Sequence, residues 1–396
     1  MKILHAITLV GPKSFGLGAV AGSLASEQIL SGIDAAVWSL DDAQGAAAAR
    51  ETYGLENNRL RTFPHTGPGF LGFSRGLHIA LCGPEGAGIN VVHQHGIWTG
   101  VSLSVHRWRR CHDGITVVAP HGALAGWALR RSGWKKALAL RAYEGANLET
   151  ASCHHATSRL EVEDFRSFGF KGAIASVPNG VSEGWLASRG EGDRIRSRFG
   201  IPKDKRIVLF MGRLSPVKNL VALIEAFAGA GEAGRDWVLM LAGAPEFGYQ
   251  SEVSEAVGRH SLEGRVRCVG MLRGQEKRDA YAAAELFVLP SIAEGFGMVV
   301  LEAIATGLPA ITTTGAAWEV LRSEGCGWWV QPTVCGLGGA LFEALGMSRS
   351  ELADKGMRAR AIAAERFSWA AVCAQLDELY KWLSKGGTMP SFVSLK

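Results

Sequence analysis

Two glutamates, Glu294 and Glu302, stand eight positions apart in the stretch EGFGMVVLEAIATGLP, on either side of a glycine loop. The short apolar run Leu286-Phe287-Val288-Leu289-Pro290 precedes them, and an apolar segment opens near Met298. A strand that stops at proline and serine, a loop holding Gly295, Phe296 and Gly297, and then a helix leaves backbone N–H groups free at the helix start, where an anion can sit. Carboxylates beside such an anion would repel it unless they accept hydrogen bonds from hydroxyls. A ligand carrying both phosphate and hydroxyl groups, as a sugar nucleotide does, meets both conditions. The alternative is an ordinary strand, loop and amphipathic helix with two solvated glutamates.

Cations are the natural complement. Gly212-Arg213-Leu214-Ser215-Pro216-Val217-Lys218-Asn219 follows an apolar strand ending at Met211 and presents Arg213 and Lys218 five apart, with Pro216 restricting the loop and Asn219 positioned to cap the next helix. Paired fixed cations stabilise a departing diphosphate in place of a metal ion. In the first half, Gly11-Pro12-Lys13-Ser14-Phe15-Gly16-Leu17-Gly18 follows the opening strand, and Gly16 and Gly18 would let backbone approach a ligand. Two histidine segments end candidate strands, His93-Gln94-His95-Gly96-Ile97-Trp98 and Pro120-His121-Gly122, where open α/β sheets bind ligands. A metal held by His93 and His95 is not expected, because no acidic or cysteine ligand stands nearby. His93 reads as a satisfied loop histidine, and His154 and His155 as structural.

The EGFGMVVLEA stretch resembles the Glu-x7-Glu motif of the retaining glycosyltransferases of family 4, and the Gly-Arg…Lys stretch resembles that family's pyrophosphate-holding element. The two histidine segments are similar to those of members acting in surface-polysaccharide assembly. The resemblance covers nearly the whole chain and implies the GT-B fold, an α/β architecture of two Rossmann-like domains whose parallel sheets face a cleft. It implies a nucleoside-diphosphate-sugar donor held by Arg213 and Lys218 at the diphosphate, Glu294 at sugar hydroxyls and Glu302 at the ribose, with Gly16, Gly18, Gly295, Phe296 and Gly297 alongside. His121 would lie near the anomeric carbon and assist transfer, while His95 and Trp98 would line the acceptor side, the acceptor being a saccharide or a lipid-linked one. No metal or other cofactor is implied. Gly16 and Gly18 match the family's Gly-Gly loop imperfectly, and Ser182 stands where aspartate is common. The nearest rival reactions on such a scaffold are epimerisation and phosphorolysis; a non-enzymatic, nucleic-acid-binding module is disfavoured because the basic residues form no recognisable motif.

The surrounding chain must supply two cores. At 396 residues, 20% charged and 47% hydrophobic, it reads as a globular protein of about two domains. The opening run reads as a buried strand and not a signal peptide, and no apolar run reaches the ~18 residues of a membrane span. Seven scattered cysteines without a C-x-x-C pair suit reduced thiols in the cytoplasm. The alternation of strands (3–9, 35–40, 90–93, 115–119, 154–158, 174–177) with a helix over 19–30 predicts one parallel sheet over 1–182. The stretch 62–84 reads as a long loop with at most a short helix. After Pro178-Asn179-Gly180 the pattern breaks through the charged stretch 189–198, then restarts with strands at 206–211, 237–242, 266–269, 286–290 and 310–313, so the second domain is expected over 183–368. Residues 369–396 read as a helix and tail, the helix crossing back to the first domain as the resemblance implies. Finally, 127–141 mixes Trp127, Trp134 and basic residues on an apparent helix, which with Arg107 to Arg110 could rest on anionic lipid at the inner face of the cytoplasmic membrane.

Overall fold

In the computed structural model, which describes residues 1–187, 190–246 and 248–395, the first half builds strands β1 (Lys2–Ile7), β2 (Asp34–Ser39), β3 (Leu60–Thr62), β4 (Val91–His95), β5 (Ile115–Ala119), β6 (Cys153–Ala156) and β7 (Ile174–Ser176). They pair in the order β7-β6-β5-β4-β1-β2-β3, all parallel, and the C-terminal strand Val393–Ser394 adds to β7 antiparallel. Parallel strands buried on both faces normally read as continuous apolar runs. β4 departs from this, because His93, Gln94 and His95 are all buried within it. This unit comprises Met1–Gly180 together with Trp369–Lys396. The helix Trp369–Lys385 buries Trp369, Val372, Cys373, Leu376, Leu379 and Tyr380 on one stripe and packs on the helix Phe15–Leu30.

The second unit is Val181–Ser368. Its strands β8 (Arg206–Met211), β9 (Trp237–Ala242), β10 (Val266–Gly270), β11 (Leu286–Leu289), β12 (Ala310–Thr313) and β13 (Gly327–Val330) form one parallel sheet in the order β10-β9-β8-β11-β12-β13. Phe210, Phe227, Trp237, Phe287 and Trp318 are fully buried in its core. In each sheet the order reverses at one place, between β1 and β4 in the first unit and between β8 and β11 in the second. At such a switch the loops leaving the carboxyl ends of neighbouring strands diverge and open a crevice.

Several elements depart from the sequence reading. The first helix starts at Phe15, four residues before the expected 19, and β4 runs on to His95. Within 62–84 the chain forms the 3-10 turn Gly69–Leu71 and the short helix Arg75–Cys82. β3, β13 and the C-terminal strand were not anticipated; at two to four residues each they are too short to show a period. The single helix expected over 127–141 is instead Gly126–Arg130 and Gly133–Ala139, followed by a π-turn at Leu140–Glu144. Ser132 breaks it by adopting φ 55, a left-handed conformation that a helix interior cannot hold. The first unit ends two residues before the boundary expected at 182, and of the charged stretch 189–198, Arg189 lies outside the described residues while Gly192–Arg198 is helical within the second unit.

Candidate active site

In the second unit, the loops leaving β8 and β11 flank the switch point. The first continues from Gly212 into the 3-10 turn Pro216–Lys218, and the second loop is tied to it by Ile292 N–H donating to Val217 O at 2.8 Å. Lys218, 7% exposed, forms an ion pair with the Glu294 carboxylate. Ser291 Oγ donates to the same carboxylate oxygen at 3.2 Å, and Glu294 N–H donates to Gly315 O at 2.8 Å. Gly315 has no room for a side chain, since a Cβ there would fall 2.3 Å from Ile292 O. Asn219 does not cap the helix Leu220–Gly229: a capping side chain needs extended backbone, whereas Asn219 sits at φ 56 and donates through Nδ2 to Pro332 O at 3.0 Å.

Gly297 precedes the helix Met298–Ala305 in the left-handed region, φ 83, so the helix starts where the sequence placed it. Phe296 points the other way. Its ring packs on Trp318 and Phe367 with centroids 5.2 and 6.2 Å away, and its carbonyl accepts from Trp318 Nε1 at 2.7 Å. With its side chain committed to the core, Phe296 has only backbone to offer a ligand. Gly295 lies between Glu294 and Phe296 in this loop.

Arg213 pairs with Glu246 through one guanidinium nitrogen, 2.7 Å from each carboxylate oxygen, at 44% side-chain exposure. Glu302 accepts from Lys277 Nζ at 2.6 Å and from the Tyr281 hydroxyl at 2.9 Å. Burial, and then the Glu302 charge, pushes the Tyr281 phenol well above its ordinary range. The structure therefore joins Lys218 directly to Glu294, and gives Arg213 and Glu302 partners that sequence reasoning missed. Glu246, Lys277 and Tyr281 are separated from those partners in the chain and carry no local motif; Ser291, beside the proline after β11, stands three residues before Glu294.

In the first unit the glycine loop behaves differently from its reading. Gly16 and Gly18 lie in the first turn of the helix Phe15–Leu30 and not in a loop. A Cβ on Gly18 would fall 1.8 Å from Ser14 Oγ, so that glycine serves packing, while Gly16 opens onto free space. The loop amides of Val10 and Gly11 are already bonded to the Asp41 carboxylate, at 2.7 and 3.0 Å.

The histidines converge. His95 is buried, with its ring nitrogens against His5 Nδ1 at 2.9 Å and His121 Nε2 at 3.1 Å. It does not line an acceptor surface, because β4 is buried on both faces and His121 caps its ring. His93 is a buried strand residue and not a loop one, bonded to the Tyr380 hydroxyl at 2.7 Å and to His155 at 3.1 Å. Burial pushes His5 and His155 down to about 4 and His121 down to about 3, so these rings are neutral at neutral pH. His5, His93 and His95 bring ring nitrogens within 4.8 Å of one another, a separation that could suit a metal ion, but both nitrogens of each ring already have hydrogen-bond partners. His154 packs against Phe165 and Phe170 with neither ring nitrogen bonded, as a structural residue does.

Trp98 and His121 both adopt positive φ, 71 and 52, just past the carboxyl ends of β4 and β5. Such conformations in bulky residues persist only where surrounding contacts impose them, and they gather at functional sites. At Trp98 the contact is the buried Glu144 carboxylate, which accepts its backbone N–H at 2.6 Å. The indole is half-buried and donates to Ala123 O at 3.2 Å.

Two parallel-sheet α/β units, each with polar side chains gathered at the carboxyl ends of its strands, define the GT-B class of glycosyltransferase structures. Residues 192–337 match the model for glycosyl transferases group 1, and residues 15–180 match that for a glycosyl transferase 4-like domain. The chain belongs to this glycosyltransferase family. It is 29% identical over 217 residues to a phosphatidyl-myo-inositol mannosyltransferase of Mycobacterium leprae, covering 54% of each chain, and 30% identical over 195 residues to an uncharacterized glycosyltransferase of Methanocaldococcus jannaschii, covering 47% of each. The chain thus spans about half the length of the curated relatives it matches. Among solved structures, Anabaena Alr3699/HepE in complex with UDP-glucose aligns with a TM-score of 0.74 at 20% identity, over 96% of this chain and 99% of that one.

Proposed function

We propose that the protein transfers a hexosyl group, with retention, from a nucleoside-diphosphate sugar to a glycan or lipid-linked saccharide in polysaccharide or glycoconjugate synthesis, without a metal ion. The observation that carries this is the Lys218–Glu294 pair at the β8/β11 switch point, a cation and a hydroxyl-accepting acid placed side by side. A diphosphate arriving there takes over Lys218 and the half-exposed Arg213, whose pair with Glu246 is worth only about 0–1 kcal/mol and exchanges readily. Glu294, released, accepts from sugar hydroxyls, and Glu302, steadied by Lys277 and Tyr281, accepts from the ribose. A solved relative in fold binds UDP-glucose, which supports a nucleotide-sugar donor. In the first unit, His121 serves the transfer itself and Trp98 the acceptor.

The test is acceptor-dependent release of nucleoside diphosphate from a panel of UDP-, GDP- and ADP-sugars in the presence of chelator. Lys218→Ala should lower kcat/KM by about 10²–10³-fold, and near-normal turnover in that variant would refute the assignment. Donor consumption without acceptor would instead favour the epimerase alternative, and dependence on inorganic phosphate the phosphorylase.

The site also supports work at a membrane surface. Among the described residues no helix is long and apolar enough to cross a bilayer. Yet Trp134 is 71% exposed and Leu138 64%, Phe70 and Leu71 are exposed as well, and Lys135 stacks over both Phe70 and Trp134. Exposed aromatics among basic residues suit an anionic bilayer interface. Vesicles containing anionic lipid should pellet the protein, Trp134→Ala with Leu138→Ala should release it, and equal binding to neutral vesicles would refute electrostatic docking.

A further inference from the structure

Two hydrogen-bonded chains of imidazoles run through the first unit, and their proton order can be worked out. One chain is Tyr380 OH, His93 and His155, ending at the backbone carbonyl of Val177, which lies 2.7 Å from His155 Nε2. A carbonyl can only accept, so His155 carries its proton on Nε2 and its Nδ1 accepts. His93 Nε2, 3.1 Å from that Nδ1, must donate, which leaves His93 Nδ1 to accept from the Tyr380 hydroxyl at 2.7 Å. Each neutral ring has one proton, so no step offers a choice.

The phenol oxygen of Tyr380, its proton committed to His93, can only accept further. The Gln28 side chain adjoins it, and Gln28 Nε2 has no hydrogen-bond partner among the described residues. With the NH2 turned to Tyr380, Gln28 Oε1 faces His5 Nε2 at 2.7 Å and accepts. His5 Nδ1 then accepts from His95 Nε2–H at 2.9 Å, and His95 Nδ1 accepts from His121 Nε2–H at 3.1 Å. His121 is left with an unprotonated Nδ1, which makes no hydrogen bond among the described residues, on a residue of intermediate exposure.

We propose that the Val177 carbonyl, Tyr380 and Gln28 act as positioning groups that hold His121 in its Nε2–H form, so that Nδ1 presents a lone pair to a substrate hydroxyl. This deepens the glycosyl-transfer reading and rests on it for the substrate. His121 is then an acceptor that orients a hydroxyl, not a proton donor. Its depressed basicity suits that role, because the ring accepts a hydrogen bond without removing the proton outright. Tyr380 gives the C-terminal helix a part in the chemistry, since it ends one chain and lies beside Gln28 at the head of the other. The alternative order, with Gln28 reversed and every ring of the His5–His95–His121 chain inverted, would turn an amide carbonyl toward a phenol oxygen that has no proton to give.

The test is ring-nitrogen NMR of protein labelled with 15N-histidine at neutral pH. His5, His93, His95, His121 and His155 should all be protonated on Nε2 and bare on Nδ1; a proton on His121 Nδ1 in the unaltered protein would overturn the inference. Gln28→Leu and Tyr380→Phe should move His121 toward a mixture of tautomers and lower kcat about tenfold while leaving the donor KM within about twofold. An unchanged His121 tautomer in both folded variants would equally overturn it. If the unaltered protein shows the stated tautomers yet turns over no nucleotide sugar, the proton order stands and the glycosyl-transfer reading falls.

Discussion

Lys218 is a cation that the fold has nearly removed from water, and its partner decides whether that is tolerable. Glu294→Gln would leave the ammonium paired only with neutral groups, which we expect to destabilise the second unit by about 1–3 kcal/mol, less than for a fully buried pair because Glu294 keeps 20% of its side chain exposed. Glu246→Gln removes the partner of an exposed guanidinium and should cost under about 1 kcal/mol. Urea titrations of the two variants distinguish these cases, and equal losses would show that the Lys218 pair is as solvated as the Arg213 one. Sequence spacing identified both cations and both acids of the Glu-x7-Glu stretch. It could not say which cation meets which acid, because Glu246 and Lys277 reach the site only once β9 and the helix Gly274–Ala283 are packed.

At the scale of elements, the loop from β11 into the helix Met298–Ala305 depends on Gly297. A Cβ there would lie 3.3 Å from Leu289 Cδ2 and from Trp318 Nε1, on a backbone at φ 83 that side chains resist. Gly297→Ala should lower stability by about 1 kcal/mol or somewhat more, and by displacing Glu294 and the first helical amides it should raise the donor KM more than it lowers kcat. Calorimetry and steady-state kinetics check both parts; a larger loss in kcat than in KM would show that the loop acts on transfer and not on binding. The helix itself was legible because glycine, proline and a run of apolar residues mark its limits locally. The basic helix over 127–141 was misread for the opposite reason: a left-handed serine carries no mark in the sequence.

Across the whole molecule, titratable burial is uneven. His5, His93, His95, His121, His154 and His155 are all held below their ordinary value of 6.5 by burial, and all belong to the first unit. A ring whose folded pKa is depressed binds fewer protons in the native state than in the unfolded one, so the stability present at neutral pH declines as pH falls below about 6.5 toward 4. Glu144, Glu161 and Asp164, raised by burial, act in the opposite sense but are fewer. Amide hydrogen exchange should therefore show β4 and β6 losing protection between pH 7 and pH 5 while β8 and β9 of the second unit keep theirs. Parallel loss in both units, or none in the first, would contradict the assignment of neutral buried imidazoles.

What the sequence determined by itself is whatever short-range chemistry dictates: the apolar runs that become parallel strands, the glycines that end them, and the acids and cations whose spacing along one segment survives folding. The tertiary structure alone decided the rest. It placed Lys218 on Glu294, set Asp41 on the amides of Val10 and Gly11, turned His95 inward, and gathered histidines from β1, β4 and β6 beside a tyrosine near the far end of the chain. The physical reason is that a hydrogen bond or ion pair depends on distance in space, and residues such as His93 and Tyr380, 287 positions apart, share no periodicity that a linear reading can detect.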